Sequence, residues 1–364
     1  MENSSKKIRV LVVDDSALMR KMIPLILKKD PGIEVVGTAV DGIFALKKVE
    51  KFRPDVITLD MEMPGMDGLT TLKHIMARFK TPVVVVSSLT TKGARITMQA
   101  FELGAMDVVA KPQDAISVHI QEIAEELITK VRAVSRSSTS KLYLPPPPEV
   151  PPALKVVKGG RRRRTETVVA IGISTGGPNA LAYMLPHIPA DFPAALLIVQ
   201  HMPAGFTEVF ASRLNKICKI EVKEANEGDM VLPGRALIAP GGKHLKIKRM
   251  RIGTIAVLST SAPVNGHRPS ADVLFESACG QYGHSTVGVI MTGMGQDGAE
   301  CLGNIQRAGG ITIAQDEQSS IVFGMPKVAI EKGHARRVVP LEKMAGAIMA
   351  AVPRKGEKEY VAAK

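Results

Sequence analysis

The 364-residue chain contains few cysteines and few long apolar runs, and each shortage excludes a class of protein. Its three cysteines, Cys218, Cys279 and Cys301, are too few and too far apart for a disulfide framework or a CxxC metal site. Apolar runs such as residues 194–199 are much shorter than the ~20 residues that span a bilayer. Residues 1–9 are polar and lack the pattern of a signal peptide. We therefore expect a cytoplasmic protein that is not inserted into a membrane.

The net charge of +13 is unevenly distributed and does not by itself indicate a nucleic-acid partner. Residues 136–164 hold 8 basic and 1 acidic side chains, a proline run and the run Arg161–Arg164. A segment of this composition cannot bury enough apolar surface to form a core, so we expect an extended linker. The remaining parts are nearly neutral, so no nucleic acid is expected to bind. The predicted organisation is a domain at 1–135, a linker at 136–164, a second domain at 165–355 and a polar tail at 356–364.

The first domain alternates between apolar strands and amphipathic helical stretches, which is typical of a doubly wound α/β fold. Its strands are almost wholly Val, Ile and Leu, as in a parallel sheet that helices cover on both faces. Ligands of such sheets bind beyond the carboxyl ends of the strands. The predicted strands are Ile8–Val13, Ile33–Ala39, Val56–Leu59, Val83–Ser87 and Asp107–Ala110.

Polar side chains follow these strands at the edge where a ligand is expected. Asp14 and Asp15 follow the first strand, and Asp60 follows the third. Ser87 ends the fourth strand and Lys111 follows the fifth. Converging carboxylates repel one another, and a divalent cation with oxygen ligands, Mg²⁺ above all, relieves that repulsion. A single aspartate here could simply cap a helix, but the five positions together predict a phosphoryl-acceptor site on Asp60.

These segments resemble a response-regulator receiver domain. The resemblance rests on the motifs VVDDSALMRKMI, DVITLDMEMPGMDGL, VVVVSSLT and GAMDVVAKP. It implies a flavodoxin-like fold. Many receivers carry an aromatic switch residue three positions before the lysine, whereas this chain has Val108. The site residues that the resemblance implies are Asp60 for phosphorylation, Asp14, Asp15 and Asp60 for Mg²⁺, and Ser87 and Lys111 for the switch.

The second domain repeats the alternation and predicts another doubly wound, mostly parallel α/β sheet. Ser174 follows its first strand, within the glycine-rich sequence GISTGGP. Glycines at this point let backbone amides approach a phosphate, or expose the serine as a nucleophile beside amides that stabilise an oxyanion. A serine before a helix can also be a simple N-cap. The predicted strands are Thr167–Ile173, Ala194–Gln200, Ala236–Ala239, Val287–Thr292 and Ile311–Gln315.

Two other strand ends favour the nucleophile. His201 follows the second strand, and Asp297 lies in the glycine loop that follows the strand Val287–Thr292. A serine deprotonated by an imidazole, which an aspartate orients, is suited to acyl transfer, so we predict a catalytic triad. Residues 172–176 match GxSxG, but an α/β-hydrolase has the order serine, acid, histidine, so that fold is disfavoured.

The glycine loop 293–298 also fits the GxGxxG fingerprint of dinucleotide-binding domains. Asp316 lies 18 residues beyond Gly298, where such a domain places an acid for the ribose hydroxyls. Only about 48 residues follow Asp316, too few for the remaining units of that domain. The dinucleotide interpretation is therefore the weaker one.

The second domain resembles the catalytic domain of CheB-type chemotaxis protein-glutamate methylesterases, through VVAIGISTGGP, IVQHMPAGFT, HRPSADVLF and VIMTGMGQDGA. The resemblance implies Ser174 as nucleophile, His201 as base, Asp297 as acid and Met294 in the oxyanion site, with Thr175 as a further candidate. It implies hydrolysis of γ-glutamyl methyl esters and deamidation of glutamines on chemotaxis receptors. No cofactor is implied for the ester reaction.

The family arrangement also implies how the enzyme is controlled. A chemotaxis histidine kinase would supply the phosphoryl group to Asp60. The receiver would act as a lid that docks over the catalytic edge, and phosphorylation would weaken that docking. We expect the protein to be a monomer.

Two other classes of function compete with an esterase. One is a receiver-controlled interaction module without chemistry, which loss of methanol release on Ser174→Ala would exclude. The other is a DNA-binding output domain, which the nearly neutral second domain and the lack of a basic helix-turn-helix disfavour. His267 and Arg268 either line a substrate groove or anchor a loop, and His244 is expected to be structural.

Overall fold

The computed structural model describes residues 6–111, 120–137 and 165–353. Apart from its first two residues, the predicted linker 136–164 lies outside the described residues, and so does the predicted tail 356–364. The chain divides into two compact units at Leu144 and Pro145. Among the described residues, no helix has both the length and the apolar character needed to cross a membrane.

The first unit contains a five-stranded, wholly parallel sheet with the order β2-β1-β3-β4-β5. This is the order of flavodoxin-like doubly wound folds, as predicted. All five predicted strands are present, and β3 is one residue longer because Asp60 still belongs to it. The elements are β1 (Ile8–Val13), α1 (Ala17–Leu27), β2 (Ile33–Ala39), α2 (Gly42–Phe52), β3 (Val56–Asp60), α3 (Gly68–Arg78), β4 (Val83–Ser87), α4 (Thr91–Glu102), β5 (Asp107–Ala110) and α5 (Ile120–Ser135).

The first four helices of this unit start after a polar capping residue. The side chains of Ser16, Asp41, Asp67 and Thr90 each accept a hydrogen bond from the backbone N–H three residues further on. Such caps satisfy amides that have no partner within the helix. Local sequence therefore sets where each helix begins, directly after the loop that follows a strand.

The second unit contains a seven-stranded, wholly parallel sheet with the order β14-β13-β12-β6-β7-β9-β8. An antiparallel hairpin, β10-β11, lies outside this sheet. The elements are β6 (Val168–Ile173), α6 (Gly177–Met184), β7 (Ala195–Gln200), α7 (Phe206–Ile217), β8 (Glu221–Glu224), β9 (Arg235–Ile238), β10 (His244–Met250), β11 (Gly253–Ser259), α8 (Ala271–Tyr282), β12 (Thr286–Ile290), α9 (Ala299–Arg307), β13 (Ile311–Gln315), α10 (Met325–Glu331), β14 (Arg337–Val339) and α11 (Leu341–Ala351).

The topology of this sheet brings three loops together. From β6 the chain continues to β7 on one side, and it later returns to β12 on the other side of β6. The three strands β6, β7 and β12 are buried along their whole length. Because all three run parallel, the loops after them meet at one edge, and the reversal of strand order beside β6 is where ligands bind in such sheets.

The sequence patterns overlooked four strands of the second unit. β8 and β14 are short edge strands that contain charged residues, and β10 and β11 form a half-exposed hairpin in which β10 alternates lysine with apolar residues. Such strands lack the continuous apolar run of a buried parallel strand. The strand predicted as Val287–Thr292 ends at Ile290 because the chain turns toward the Ser174 loop, where the Thr292 carbonyl accepts a hydrogen bond.

Candidate active site

Ser174 lies directly after β6, in a tight turn that leads into α6. Its backbone N–H donates to the Thr292 carbonyl (2.9 Å), and its own carbonyl accepts from the Gly177 N–H (2.8 Å). Gly176 has φ of +79°, and a Cβ atom there would lie only 2.6 Å from Cβ of Ile321, so glycine is required. The turn thus holds Ser174, which is 6% exposed, in front of the first turn of α6.

His201 follows β7, and its backbone N–H donates to the Ile173 carbonyl (3.1 Å). Its Nε2 atom lies 2.8 Å from Oδ2 of Asp297. The other ring nitrogen, Nδ1, is buried and has no hydrogen-bond partner among the described residues. A neutral imidazole that donates from Nε2 to a carboxylate carries its lone pair on Nδ1. Nδ1 is therefore the atom of His201 that can accept a proton.

Asp297 is buried at the N-terminus of α8, where it accepts several hydrogen bonds besides that of His201. The donors are Oγ of Ser270 (2.6 Å), the N–H groups of Ala271 (2.6 Å) and Asp272 (3.3 Å) at the start of α8, and Nδ2 of Asn265 (3.2 Å). Burial alone would raise the pKa of Asp297, but the bonds from His201, Ser270 and Ala271 outweigh it and hold the pKa well below its ordinary value. Asp297 is therefore ionised at neutral pH, and its carboxylate fixes the orientation of the imidazole.

The three predicted triad residues lie at the same edge of the second sheet. His201 and Asp297 are hydrogen-bonded to each other, and Gln200 connects the backbones of Ser174 and His201. Nε2 of Gln200 donates to the carbonyls of both Ser174 (3.0 Å) and His201 (3.1 Å). The base and the acid are hydrogen-bonded, whereas in this structure the Ser174 hydroxyl is not hydrogen-bonded to His201. In hydrolases the bond between nucleophile and base commonly tightens only when substrate binds.

The two predicted oxyanion residues are Thr175, which follows Ser174 in the chain, and Met294, which follows Gly293. Gly293 packs so closely on the serine that a Cβ atom on it would lie 2.7 Å from Cβ of Ser174. Met294 follows Gly293 directly and is half-buried. Thr175 is buried, and its carbonyl accepts a hydrogen bond from Oγ1 of Thr292 (2.9 Å). The backbone at Gly293 and the peptide group that joins Ser174 to Thr175 are therefore close to the serine side chain.

Sequence patterns did not identify several residues that complete this site. His267, for which groove lining and loop anchoring were equally open, stacks on His201 with ring centroids 3.9 Å apart and planes 12° from parallel. Ser270 precedes α8 as an N-cap would, yet its hydroxyl bonds to Asp297 rather than to its own helix. Gln200 directly precedes His201 in the chain, and this position was the only feature of the sequence that could have pointed to a role for it.

His244 is a structural residue, as predicted. It is fully buried, its Nδ1 accepts from the Ser270 N–H (3.2 Å), and its Nε2 bonds to the Ala262 carbonyl (3.1 Å). It therefore supports the start of α8, and both ring nitrogens are occupied.

A second cluster lies at the carboxyl edge of the first sheet. Carboxylate oxygens of Asp14, Asp15 and Asp60 all lie within 4.8 Å of one another and could hold a metal ion. Nζ of Lys111 lies 2.7 Å from Asp60 and 3.0 Å from Asp14. The Ser87 hydroxyl is buried and has no hydrogen-bond partner among the described residues. The structure thus places all five predicted receiver residues at one edge.

The electrostatics of this cluster favour a bound cation. Burial raises the pKa of Asp60 and the nearby Asp14 adds to the effect, while Lys111 opposes it without cancelling it. Burial would lower the pKa of Lys111, but the two carboxylates outweigh burial and raise it. One ammonium group therefore leaves the negative charge of three carboxylates incompletely compensated.

We expect Asp60→Asn to stabilise the first unit at neutral pH in the absence of divalent cations. Because the pKa of Asp60 is raised by folding, stability is lost as the pH rises through the folded pKa, and the ionised group destabilises the fold at pH 7. Hydrogen exchange of β1 and β4 peptides should slow by about 3- to 10-fold. The exposed Asp15→Asn is the control and should have a smaller effect. Faster exchange in Asp60→Asn would contradict the prediction.

Comparison with known proteins assigns both units. Residues 10–121 match the family model described as response regulator receiver domain, and residues 169–348 match that described as CheB methylesterase. The chain is 54% identical over 346 residues to protein-glutamate methylesterase/protein-glutamine glutaminase 2 of Koribacter versatilis, covering 94% of this chain and 95% of that protein. It is 46% identical over 347 residues to protein-glutamate methylesterase/protein-glutamine glutaminase of Pyrococcus horikoshii, covering 95% and 94%.

A solved structure supports the same assignment for the second unit. The crystal structure of the Thermotoga maritima CheB methylesterase catalytic domain has 41% sequence identity and a TM-score of 0.50, covering 51% of this chain and 98% of that chain. The relatives align along nearly the whole chain, with the receiver match preceding the esterase match. The chain therefore belongs to the CheB methylesterase family, in which a response regulator receiver domain precedes the catalytic domain.

Proposed function

We propose that this protein is a phosphorylation-activated serine esterase that removes methyl groups from γ-glutamyl esters of chemotaxis receptors. The observation that carries the proposal is the 2.8 Å bond between His201 and the buried Asp297, at the same sheet edge that holds Ser174. The relatives that align along nearly the whole chain are named protein-glutamate methylesterase/protein-glutamine glutaminase, which supports the same substrate.

The first half of the reaction forms an acyl-enzyme. Oγ of Ser174 attacks the ester carbonyl carbon while Nδ1 of His201 takes the hydroxyl proton. Asp297 accepts a hydrogen bond from the Nε2–H of His201 and stabilises the imidazolium that forms. Backbone amides beside Ser174 and Met294 stabilise the oxyanion. The carbon–oxygen bond to the methoxy group then breaks, and His201 gives the proton that it took from the serine to the methoxy oxygen, so that methanol leaves.

The second half restores the enzyme. His201 removes a proton from water, and the resulting hydroxide attacks the acyl carbon. The bond to Oγ of Ser174 breaks, the serine regains its proton from His201, and the released glutamic acid side chain loses its remaining proton to solvent and becomes a carboxylate. Deamidation of glutamine uses the same route with ammonia as the leaving group, which is poorer than methanol and makes acylation slower.

The receiver site supplies control of this activity. The three carboxylates of Asp14, Asp15 and Asp60 offer only oxygen ligands, which fits Mg²⁺ and would let these residues hold it. A bound Mg²⁺ would neutralise charge on the phosphoryl oxygens. Asp60 would accept the phosphoryl group from a histidine kinase, and the Ser87 hydroxyl and the Lys111 ammonium would donate hydrogen bonds to its oxygens, which their position beside Asp60 at the same sheet edge supports.

The test of this proposal is methanol release from methylated receptor membranes, with and without a small-molecule phosphodonor and Mg²⁺. We expect the donor to raise the rate of the wild-type protein at least about 5-fold, since phosphorylation shifts the population toward the active arrangement. Asp60→Asn should keep the basal rate and show no response. A wild-type protein that does not respond, or an Asp60→Asn variant that responds equally, would contradict control through Asp60.

A further inference from the structure

Two buried polar side chains, one at the end of β7 and one just beyond the end of β12, donate hydrogen bonds to consecutive carbonyl groups of the Ser174 turn. Gln200, the last residue of β7, is 2% exposed, and its Nε2 donates to the Ser174 carbonyl at 3.0 Å. Thr292, two residues beyond β12, is fully buried, and its Oγ1 donates to the Thr175 carbonyl at 2.9 Å. The backbone of the turn thus accepts hydrogen bonds from side chains at or just beyond the ends of the strands on both sides of β6.

Because the peptide group is planar, these two hydrogen bonds also set the direction of backbone N–H groups. In a trans peptide the carbonyl and the N–H point in opposite directions, so fixing one fixes the other. Holding the Ser174 carbonyl orients the Thr175 N–H, and holding the Thr175 carbonyl orients the Gly176 N–H. The Gly176 N–H makes no hydrogen bond to another residue in the described part of the chain. This N–H therefore keeps its donor capacity for an oxyanion.

Thr292 has the more extensive role of the two. Its Oγ1 accepts from the Val322 N–H (3.0 Å), and its backbone N–H donates to Oε1 of Gln315 (2.9 Å). Its carbonyl accepts from the Ser174 N–H (2.9 Å). Because Thr292 also lies two residues before Met294, it joins the nucleophile turn, the Met294 loop and the segment around Val322. Its hydroxyl thus connects the Thr175 carbonyl of the nucleophile turn to the backbone of Val322.

The geometry points to Thr292, assisted by Gln200, as a positioning residue that orients the N–H groups of Thr175 and Gly176 toward the transition-state oxyanion. The inference rests on the proposed esterase function. It assigns to Thr292 no contact with substrate. Its contribution is to keep backbone donors in place before the reaction begins, which is where most oxyanion stabilisation arises.

The test compares Thr292→Val with Thr292→Ser in the full-length protein. Valine keeps the shape but removes the hydroxyl, so the Thr175 carbonyl and the Val322 N–H lose their partner. We expect kcat for methanol release to fall about 10- to 100-fold with KM within about 2-fold, because displaced donors act on the transition state. Serine keeps the hydroxyl and should retain kcat within about 3-fold of wild type.

A matched control lies on the same strand. Thr286, at the opposite end of β12, is also fully buried, and its Oγ1 donates to the Ala278 carbonyl (3.3 Å). Thr286→Val should cost similar thermal stability and leave kcat unchanged. The inference is overturned if Thr292→Val keeps wild-type kcat, if Thr292→Ser falls as far as Thr292→Val, or if Thr286→Val lowers kcat equally.

A second readout separates this inference from the identity of the substrate. The rate at which a fluorophosphonate probe labels Ser174 depends on the nucleophile and the oxyanion donors, and needs no receptor. We expect Thr292→Val to be labelled more slowly than the wild-type and Thr292→Ser proteins. If wild type releases no methanol but this order of labelling is found, the substrate is wrong and the positioning role holds. Equal labelling of all three proteins would overturn the positioning role.

Discussion

Ser174→Ala is expected to lower kcat for methanol release by at least about 10⁴-fold, because alanine has no hydroxyl oxygen with which to form the acyl-enzyme. The turn itself should persist in this variant. Its hydrogen bonds to Thr292, Gly177 and Gln200 all use the backbone of residue 174, which alanine retains. The loss would therefore report the missing hydroxyl and not a collapsed loop.

The measurement is steady-state methanol release from methylated receptor membranes, with thermal unfolding followed in parallel. Ser212→Ala is the matched control, since Ser212 is an exposed serine in the middle of α7. We expect this control to keep full activity and both variants to unfold at the wild-type temperature. A Ser174→Ala protein with more than about a tenth of wild-type activity would show that Ser174 is not the nucleophile, and its loop would have to be an anion site or a helix cap.

Asp297→Asn is expected to lower kcat by about 10³- to 10⁴-fold while leaving KM nearly unchanged. The carboxylate accepts from Nε2 of His201 and from three donors at the start of α8. An amide cannot accept on both sides, so its NH₂ group must face one set of donors. If it faces His201, the ring proton moves to Nδ1 and the imidazole can no longer take the serine proton.

The same substitution should change how stability depends on pH. Because folding lowers the pKa of Asp297, its contribution to stability is present above the unfolded pKa and is lost as the pH falls through the folded pKa. Asp297→Asn should therefore be less stable than wild type at pH 7, with a difference that shrinks in acid. Asp316→Asn is the control, since Asp316 also accepts from a serine hydroxyl and a backbone N–H, both of Ser319. Unaltered kcat in Asp297→Asn would exclude the proposed orienting role.

The proposed catalytic and phosphorylation residues could be predicted from the amino-acid sequence because they lie at the ends of strands or in the loops that follow them. All ten predicted strands are present, with limits within two residues of the observed ones. Buried parallel strands read as continuous apolar runs, and the residue that follows such a run is placed at the ligand-binding edge whatever the rest of the fold does. The alignment of the relatives confirms the family that the motifs indicated.

Solvent-exposed elements were harder to predict for a physical reason. The hairpin β10-β11 and the edge strands β8 and β14 are only partly buried, so polar and charged residues are tolerated within them and the pattern of a strand is weakened. The domain limits at residues 135 and 165 and the linker between them stay predictions. The matched segments 10–121 and 169–348 lie inside those limits.

Local pattern in the chain was enough to identify two parallel α/β units, the acidic cluster of the first and the serine, histidine and aspartate of the second. Only the tertiary structure shows which nitrogen of His201 faces Asp297 and that Ser270 and the start of α8 donate to this carboxylate. It alone also shows the hydrogen bond from Thr292 to the Ser174 turn. These bonds join residues that are 25 to 117 positions apart in the chain. They depend on strand order and register, which bring distant backbone groups within hydrogen-bond distance and leave no local signal in the sequence.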